Sequence, residues 1–353
     1  MIESMPRGPA TLDMRPLFKP KRILIAGATG RVGRALSPSL AGFQVPIRIL
    51  QHRATAGGVF ARRDPNGERD AAPPVEVVRG DLAEPRTLRG AADGCDVVVH
   101  AAARTGFAIP DRDEQRRINV DGTEALLVEA QSAGVLVFVL IGYTGTVQER
   151  EDVSRPVDEE TPPEGRYESD YVRMKFEAEA MVLEANQAGG MATIVVSAGV
   201  LAQPGVSTIL GGLVKAFVSR ELPFRFLEDV WLAMTDGTDL GRCAASAIEA
   251  GHGGRRYFAT GDCLRLGEVY RLLTELSGVA APRRSVPDLL VEELGLLTPV
   301  LPRHSFLRRL VLPRQLVLHL KRVAPVENAR TRSELGFEPT PFRSTLKAMI
   351  EEG

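Results

Sequence analysis

The segment Lys21-Arg-Ile-Leu-Ile-Ala-Gly27 is a short apolar run that ends on a glycine, and Gly27-Ala-Thr-Gly30-Arg-Val-Gly33 leads from it into Arg31 to Leu40, which has the pattern of a helix. That junction limits the fold more than any other stretch of the chain. An apolar strand that stops at a glycine-rich loop and restarts as a helix is the first turn of a dinucleotide-binding unit. The glycines allow a tight turn and let the backbone approach a pyrophosphate, while the helix N-terminus offers N–H donors and a partial positive charge. The same spacing occurs in plain strand-to-helix turns, and its place directly behind the first strand favours the nucleotide loop. Gly27, Thr29, Gly30, Arg31, Val32 and Gly33 are therefore candidate cofactor contacts.

The rhythm continues down the chain. Ile47-Arg-Ile-Leu50, Val75-Glu-Val-Val-Arg79, Asp96-Val-Val-Val-His100, Val135 to Ile141 and Ala192 to Ala198 read as further strands. Val120 to Ala133 and Asp170 to Gln187 read as helices, and the helix from Arg31 is interrupted late by Pro38. Ala54 to Pro74, rich in Gly, Pro, Arg and Asp, reads as a loop or exposed insertion. Strands alternating with helices in this way give an α/β fold, a doubly wound parallel Rossmann sheet. Beyond Gly199 the segments lengthen and prolines cluster, which predicts a smaller substrate-binding cap. The expected organisation is a loosely ordered leader over 1–20, a dinucleotide-binding domain over 21–200 and a C-terminal cap over most of 201–353. Arg256-Tyr-Phe-Ala-Thr260 is expected to return to the sheet.

Composition narrows the partners. The net charge of -1 over 353 residues lacks the basic excess of a dedicated nucleic-acid binder. Cys95, Cys243 and Cys263 have neither metal-ligand spacing nor a paired framework, and the His, Cys and carboxylate residues form no metal constellation. No run of about 18 apolar residues signals a membrane span, and Met1 to Pro20 lacks the apolar stretch of a secretory signal. A cytoplasmic enzyme acting on a small molecule is the expectation.

Tyr171-Val-Arg-Met-Lys175 puts a phenol and an ammonium one helical turn apart on one face. A neighbouring ammonium lowers a phenol's pKa and lets it exchange a proton near neutral pH. Alone, such a pair is as readily two solvated residues on an amphipathic helix.

The Gly-x-x-Gly-x-x-Gly loop resembles that of the extended short-chain dehydrogenase/reductase family, and the resemblance runs over about residues 21–350. Asp81-Leu82 is similar to the pair that faces the adenine ring in that family, and His100-Ala101-Ala102-Ala103 to the segment that passes the adenosine ribose. Asn119-Val-Asp-Gly-Thr123 matches its Asn-Val-x-Gly-Thr helix start, Tyr171 and Lys175 match its catalytic pair, and Asn328 to Pro339 its closing element. The resemblance implies a nicotinamide cofactor, held in part by Asn119 and Lys175, with Tyr171 as acid/base and Lys175 also on the nicotinamide ribose. The end of the second strand, Leu50-Gln-His52-Arg53, lacks the carboxylate that NAD enzymes usually place there. His52, Arg53 and Arg31 suit a 2′-phosphate instead, so NADP(H) is favoured, with NAD left open.

The resemblance is closest to members like dihydroflavonol reductase and 3β-hydroxysteroid dehydrogenase, yet two departures stand out. Laid on the Ser-Ser-Ala-Gly-Thr-Val segment of such members, Gly142 and Tyr143 take the places of the two serines. The hydroxyl that should sit beside Tyr171 comes from Thr144, from the phenol of Tyr143, or is lost. Behind the sixth strand, Ser197-Ala-Gly-Val-Leu-Ala-Gln-Pro204 replaces the family's Arg-Pro-x-x-Val-Tyr-Gly-Pro, which removes cationic and polar groups suited to a nucleotide-sugar diphosphate.

The leading expectation is an NADP(H)-dependent ketoreductase or alcohol dehydrogenase for a small apolar carbonyl or alcohol. A sugar-nucleotide epimerase or dehydratase, or a catalytically weak dinucleotide-binding structural or sensor protein, are the alternatives. Arg303 to Arg322 reads as a cap helix with a solvated basic face, contact with a membrane surface being the alternative. Pairing through the helices that carry Asn119 and Tyr171 would give a homodimer.

Overall fold

The computed structural model describes residues 18–52, 73–107, 111–186, 190–206, 208–296 and 311–352. Arg53, most of the 54–74 insertion, residues 1–17 of the expected leader, and Arg303, Arg308 and Arg309 lie outside the described residues. Residues 18–20 belong to the fold, since Phe18 packs against the core.

Each apolar run becomes a strand of one sheet. These are β1 (Ile23–Ala26), β2 (Ile47–Gln51), β3 (Val75–Arg79), β4 (Val97–His100), β5 (Val137–Tyr143) and β6 (Ala192–Ala198). With the later β9 (Arg255–Phe258) they form a seven-stranded sheet in the order β3-β2-β1-β4-β5-β6-β9, every neighbour parallel. The return of the chain to this sheet matches the expectation for Arg256 to Thr260.

Alternation along the strands divides the core. Ile23 and Ile25 face one side with Leu36, Leu40 and Leu240, while Leu24 and Ala26 face the other with Leu126, Ala178 and Val182. The first layer is built by α1 (Arg31–Ala41) and α7 (Gly237–Ala250), the second by α3 (Gly122–Ser132) and α5 (Asp170–Ala185). Each fully buried leucine or isoleucine contributes roughly 1.5–3 kcal/mol, so both faces must be covered, as in other parallel sheets.

Two helices differ from expectation. α1 continues through Pro38, which is exposed and forfeits one bond of the last turns without breaking the helix. The helix expected from Val120 is preceded by a short α2 (Arg112–Arg116) and a π-helical turn, Arg117–Asp121, in which Thr123 Oγ1 donates to the Asn119 carbonyl at 2.8 Å.

The chain beyond β6 builds a second core. β7 (Val200–Ala202), β8 (Trp231–Asp236) and β10 (Cys263–Arg265) make a three-stranded sheet, which the sequence pattern did not disclose. Around it lie α6 (Ile209–Val218), α8 (Leu266–Ser277) and α12 (Phe342–Glu352), sharing Leu210, Val214, Phe217, Leu232, Tyr270 and Leu346. In the chain between α8 and α12 come α9 (Asp288–Gly295), α10 (Arg314–Lys321) and α11 (Ala329–Leu335), the last packed on α7 and β9 of the large sheet.

α10 is the described end of the basic stretch, and its cations are not simply solvated. Arg314 and Lys321 both bond Glu292 at 2.9 Å, and Arg322 bonds Glu168 at 2.8 Å. No described helix is long and apolar enough to cross a membrane.

Candidate active site

The C-terminal ends of β1 to β6 open on one edge of the sheet, and the chain reverses its winding direction between β1 and β4. Crevices at such a switch point are where open α/β sheets bind ligands. Gly27 sits there at φ +89°, and a Cβ on it would lie 2.5 Å from Ala102 N. A Cβ on Gly33 would lie 2.2 Å from the Gly27 carbonyl oxygen. The loop is thus packed tightly on the Ala101-Ala102 backbone and on the first turn of α1. Gly30 caps α1 without a side-chain bond, and no acid lies in the first turn. An uncapped helix end behind a glycine cradle fits the pyrophosphate of a dinucleotide. Thr29 and Arg31 are exposed beside it, while Val32 packs partly on the core.

The other candidate contacts are more varied. His52 Nε2 lies 3.0 Å from the Asp81 carboxylate, so the ends of β2 and β3 carry an imidazole matched to a carboxylate rather than a purely cationic patch. Leu82 is buried and closes on Gly122. Ala101 and Ala102 present backbone to the glycine loop. His100 does not face the crevice. It is fully buried, bonded through Nε2 to Thr123 Oγ1 at 3.0 Å, and burial aided by the Lys175 charge drives it down to about 3, so the ring is neutral. Asn119 is likewise turned inward: its amide accepts from Arg104 N at 2.7 Å and donates to Arg104 O at 3.1 Å, shaping the segment behind β4.

Ser169 starts α5 by accepting from Tyr171 N at 3.2 Å, which fixes the turn that carries Tyr171. Burial pushes the Tyr171 phenol up to about 12, and the opposing positive charge is that of Arg31. Lys175 Nζ donates to the Ile141 carbonyl at 2.8 Å, and burial brings it down to about 8, with Glu179 opposing. The expected lowering of Tyr171 by Lys175 is therefore not seen, because the ammonium is turned to the end of β5. Glu179 is itself buried, held by Thr146 Oγ1 at 2.9 Å and by Arg256 of β9.

Thr144 is buried with its hydroxyl 3.4 Å from the Ala198 carbonyl, facing the β5–β6 junction. At Gly142 a Cβ would lie 2.5 Å from Ser197 Oγ, so the Ser197 side chain fills the space a serine there would use. Tyr143 is the hydroxyl on the Tyr171 side, their rings 6.3 Å apart. Its oxygen is 2.8 Å from His319 Nε2, and His319 Nδ1 is 2.5 Å from Glu149 Oε2. Phe107 completes the cluster, stacked on His319 at 5.5 Å and edge-on to Tyr171 at 5.5 Å.

His319 and Glu149 were not among the sequence candidates. They are 170 residues apart, and each is unremarkable in its own segment. A histidine on the apolar side of a basic helix was the one available signal. α10 and the chain behind it pin the pair: Ala324 N donates to Gln148 O at 2.8 Å, Arg150 N to Arg322 O at 2.9 Å, and Gln315 of α10 reaches Asp170 at 3.3 Å.

Comparison with known proteins gives the family. Residues 23–252 match the model of the NAD dependent epimerase/dehydratase family. The chain is 30% identical over 336 residues to sterol demethylase protein B of Methylococcus capsulatus, covering 92% of this chain and 95% of the relative. It is 28% identical to a farnesyl-dihydroquinoline-oxide ketoreductase of Stigmatella aurantiaca, over 75% of this chain and 76% of that one. The solved UDP-glucose 4-epimerase of Thermus thermophilus, in complex with NAD, shares the fold at a TM-score of 0.69 and 17% identity, covering 94% of this chain and 98% of that one. The chain belongs to the NAD dependent epimerase/dehydratase family and is an NAD(P)-dependent oxidoreductase of it.

Proposed function

We propose that the protein is an NADP(H)-dependent ketoreductase or alcohol dehydrogenase for a small apolar carbonyl or alcohol, with Tyr171 as the proton donor or acceptor. The observation that carries this reading is the setting of Tyr171: a phenol on the first turn of α5, one helical turn before Lys175 and walled by Phe107 and Tyr143. When bound, a nicotinamide supplies or accepts the hydride. Tyr171 stays protonated at neutral pH and gives its proton to the oxygen of a reduced carbonyl, or takes it back in the reverse direction. Tyr143 supplies the second hydroxyl in place of the family serine, since Thr144 is turned toward Ala198. Lys175 stands ready to turn from Ile141 to the ribose. We read 21–200 as the dinucleotide-binding part and most of 201–353 as the cap.

The preference for NADP(H) rests on Gln51-His52 at the end of β2, where no acid stands, and on Arg31. Solved chains of this fold hold NAD in some cases and NADPH in others. Against a sugar-nucleotide substrate stand Ser197, Ala198, Gly199 and Val200, none of which can hold a diphosphate by charge. Val200, Trp231, Leu232 and Leu320 add apolar surface next to Tyr143. The test is reduction of a panel of aromatic and alicyclic ketones with NADPH and with NADH. Turnover with NADPH preferred supports the proposal. Tightly copurifying NAD with no ketone turnover would favour the epimerase reading.

A further inference from the structure

We infer that His319 and Glu149 are positioning residues for the reaction, a buried imidazole–carboxylate pair that holds the Tyr143 hydroxyl and decides whether it donates or accepts. The inference rests on the reading of Tyr143 as the second hydroxyl of the site. Both members of the pair are fully buried, at 0% exposure, so the arrangement is not a surface contact.

The hydrogen-bond inventory fixes the order of the chain. A carboxylate only accepts, so the proton between Glu149 and His319 sits on Nδ1. Glu149 Oε1 accepts in addition from Glu168 N at 2.5 Å, which holds the carboxylate in place. Nε2 then faces the Tyr143 oxygen at 2.8 Å. With a neutral ring, Nε2 accepts the Tyr143 proton, and the phenol oxygen shows only lone pairs to the site. With a protonated ring, Nε2–H donates to that oxygen, and the Tyr143 O–H is released toward the substrate oxygen. One proton gained at Nε2 thus turns Tyr143 from acceptor to donor, and no other bond changes. Burial, reinforced by the charges of Tyr171 and Glu149, raises the Tyr143 phenol above its usual range, so it keeps its proton throughout.

The charged and titratable groups around the pair come from each packed element. Tyr171 approaches from α5, with Phe107 between it and the imidazole. Glu168 and Arg322 are paired to each other at 2.8 Å, and Arg322 also bonds the Arg150 carbonyl at 3.4 Å. Arg150 is paired with Glu164 at 3.3 Å. Lys321 and Arg314 of α10 are both engaged by Glu292. These cations are matched by carboxylates, so Glu149 is the charge that acts directly on His319.

The test uses the full-length protein, NADPH and β-tetralone, followed by NADPH absorbance. Tyr143→Phe is expected to lower kcat by about 10²–10³, the usual loss for one positioned donor. His319→Gln is expected to lower kcat by about 10–100-fold, the range for a partner that orients another group, with KM and NADPH affinity unchanged. The double variant should be no slower than Tyr143→Phe, because both changes remove one unit. Additive losses, or an unchanged kcat in His319→Gln, would each overturn the inference. Should His319→Gln not fold, Glu149→Gln keeps the shape and the bond from Glu168, and the same loss is expected. If the wild type reduces no ketone, the proposed function fails, and the pair is read separately by NMR of the histidine ring nitrogens. A proton on Nδ1 of His319 and a shift of Nε2 on Tyr143→Phe support the inference, whereas a proton on Nε2 alone rejects it.

Discussion

Replacing Gly33 with alanine adds one methyl where α1 meets the glycine loop. Its Cβ would stand 2.2 Å from the Gly27 carbonyl oxygen and 2.6 Å from Ala28 Cα, where ordinary contact begins at 3.4 Å. The atoms opposed are backbone and cannot swing away, so relief requires a shift of 3.4 − 2.2 = 1.2 Å between helix and loop. Overpacking of this kind costs about 1–3 kcal/mol, against roughly 1 kcal/mol gained from alanine's helix propensity. The fold should lose about 0–2 kcal/mol. Binding suffers more, because the N–H groups at the start of α1 are displaced from the pyrophosphate position. A lost hydrogen bond to a charged group is worth about 1.5–3 kcal/mol, or roughly a 10–100-fold weaker Kd. Fluorescence titration with NADPH measures it, alongside thermal unfolding. Gly212→Ala is the control: Gly212 is exposed inside α6 with nothing within 4 Å of a Cβ, so that variant should gain stability and bind NADPH normally. An NADPH Kd within about twofold of wild type in Gly33→Ala would refute the cradle argument.

Two further predictions concern the buried charges under α5. Lys175 has a folded pKa near 8 against 10.5 when unfolded, so between these values the unfolded chain binds more protons. Stability of the wild type relative to Lys175→Met should therefore rise from pH 8 toward 10.5, by on the order of 2–3 kcal/mol, as followed by denaturant melts; a flat difference would contradict it. Arg256→Met leaves the 1%-exposed Glu179 side chain without its cation and should cost about 3–5 kcal/mol, read as a lower denaturation midpoint, whereas an unchanged midpoint would show that Thr146 and Lys175 suffice.

The sheet was legible because its strands are continuous apolar runs bounded by glycine or polar residues, as in Ala192–Ala198, where the sequence reading and the strand coincide. Gly27 and Gly33 were legible because their spacing has only a backbone meaning. The three strands of the second sheet were not, being short and mixed in character: Cys263–Arg265 carries no apolar alternation to read. The site was half legible. Tyr171 and Lys175 lie on one helix face, a local relation, whereas the Tyr143–His319 bond joins residues 176 apart. His100 and Asn119 were located correctly on β4 and before α3, but which way a side chain turns depends on partners such as Thr123 and Arg104, which spacing does not encode.

The claim on which the account turns is that Tyr171 moves the proton. Tyr171→Phe keeps the ring and its contact with Phe107 and removes only the hydroxyl. Steady-state reduction of a ketone by NADPH should fall by at least about 10²-fold in kcat, the general acid's usual contribution, with NADPH affinity unchanged. Turnover equal to the wild type in Tyr171→Phe would contradict the account.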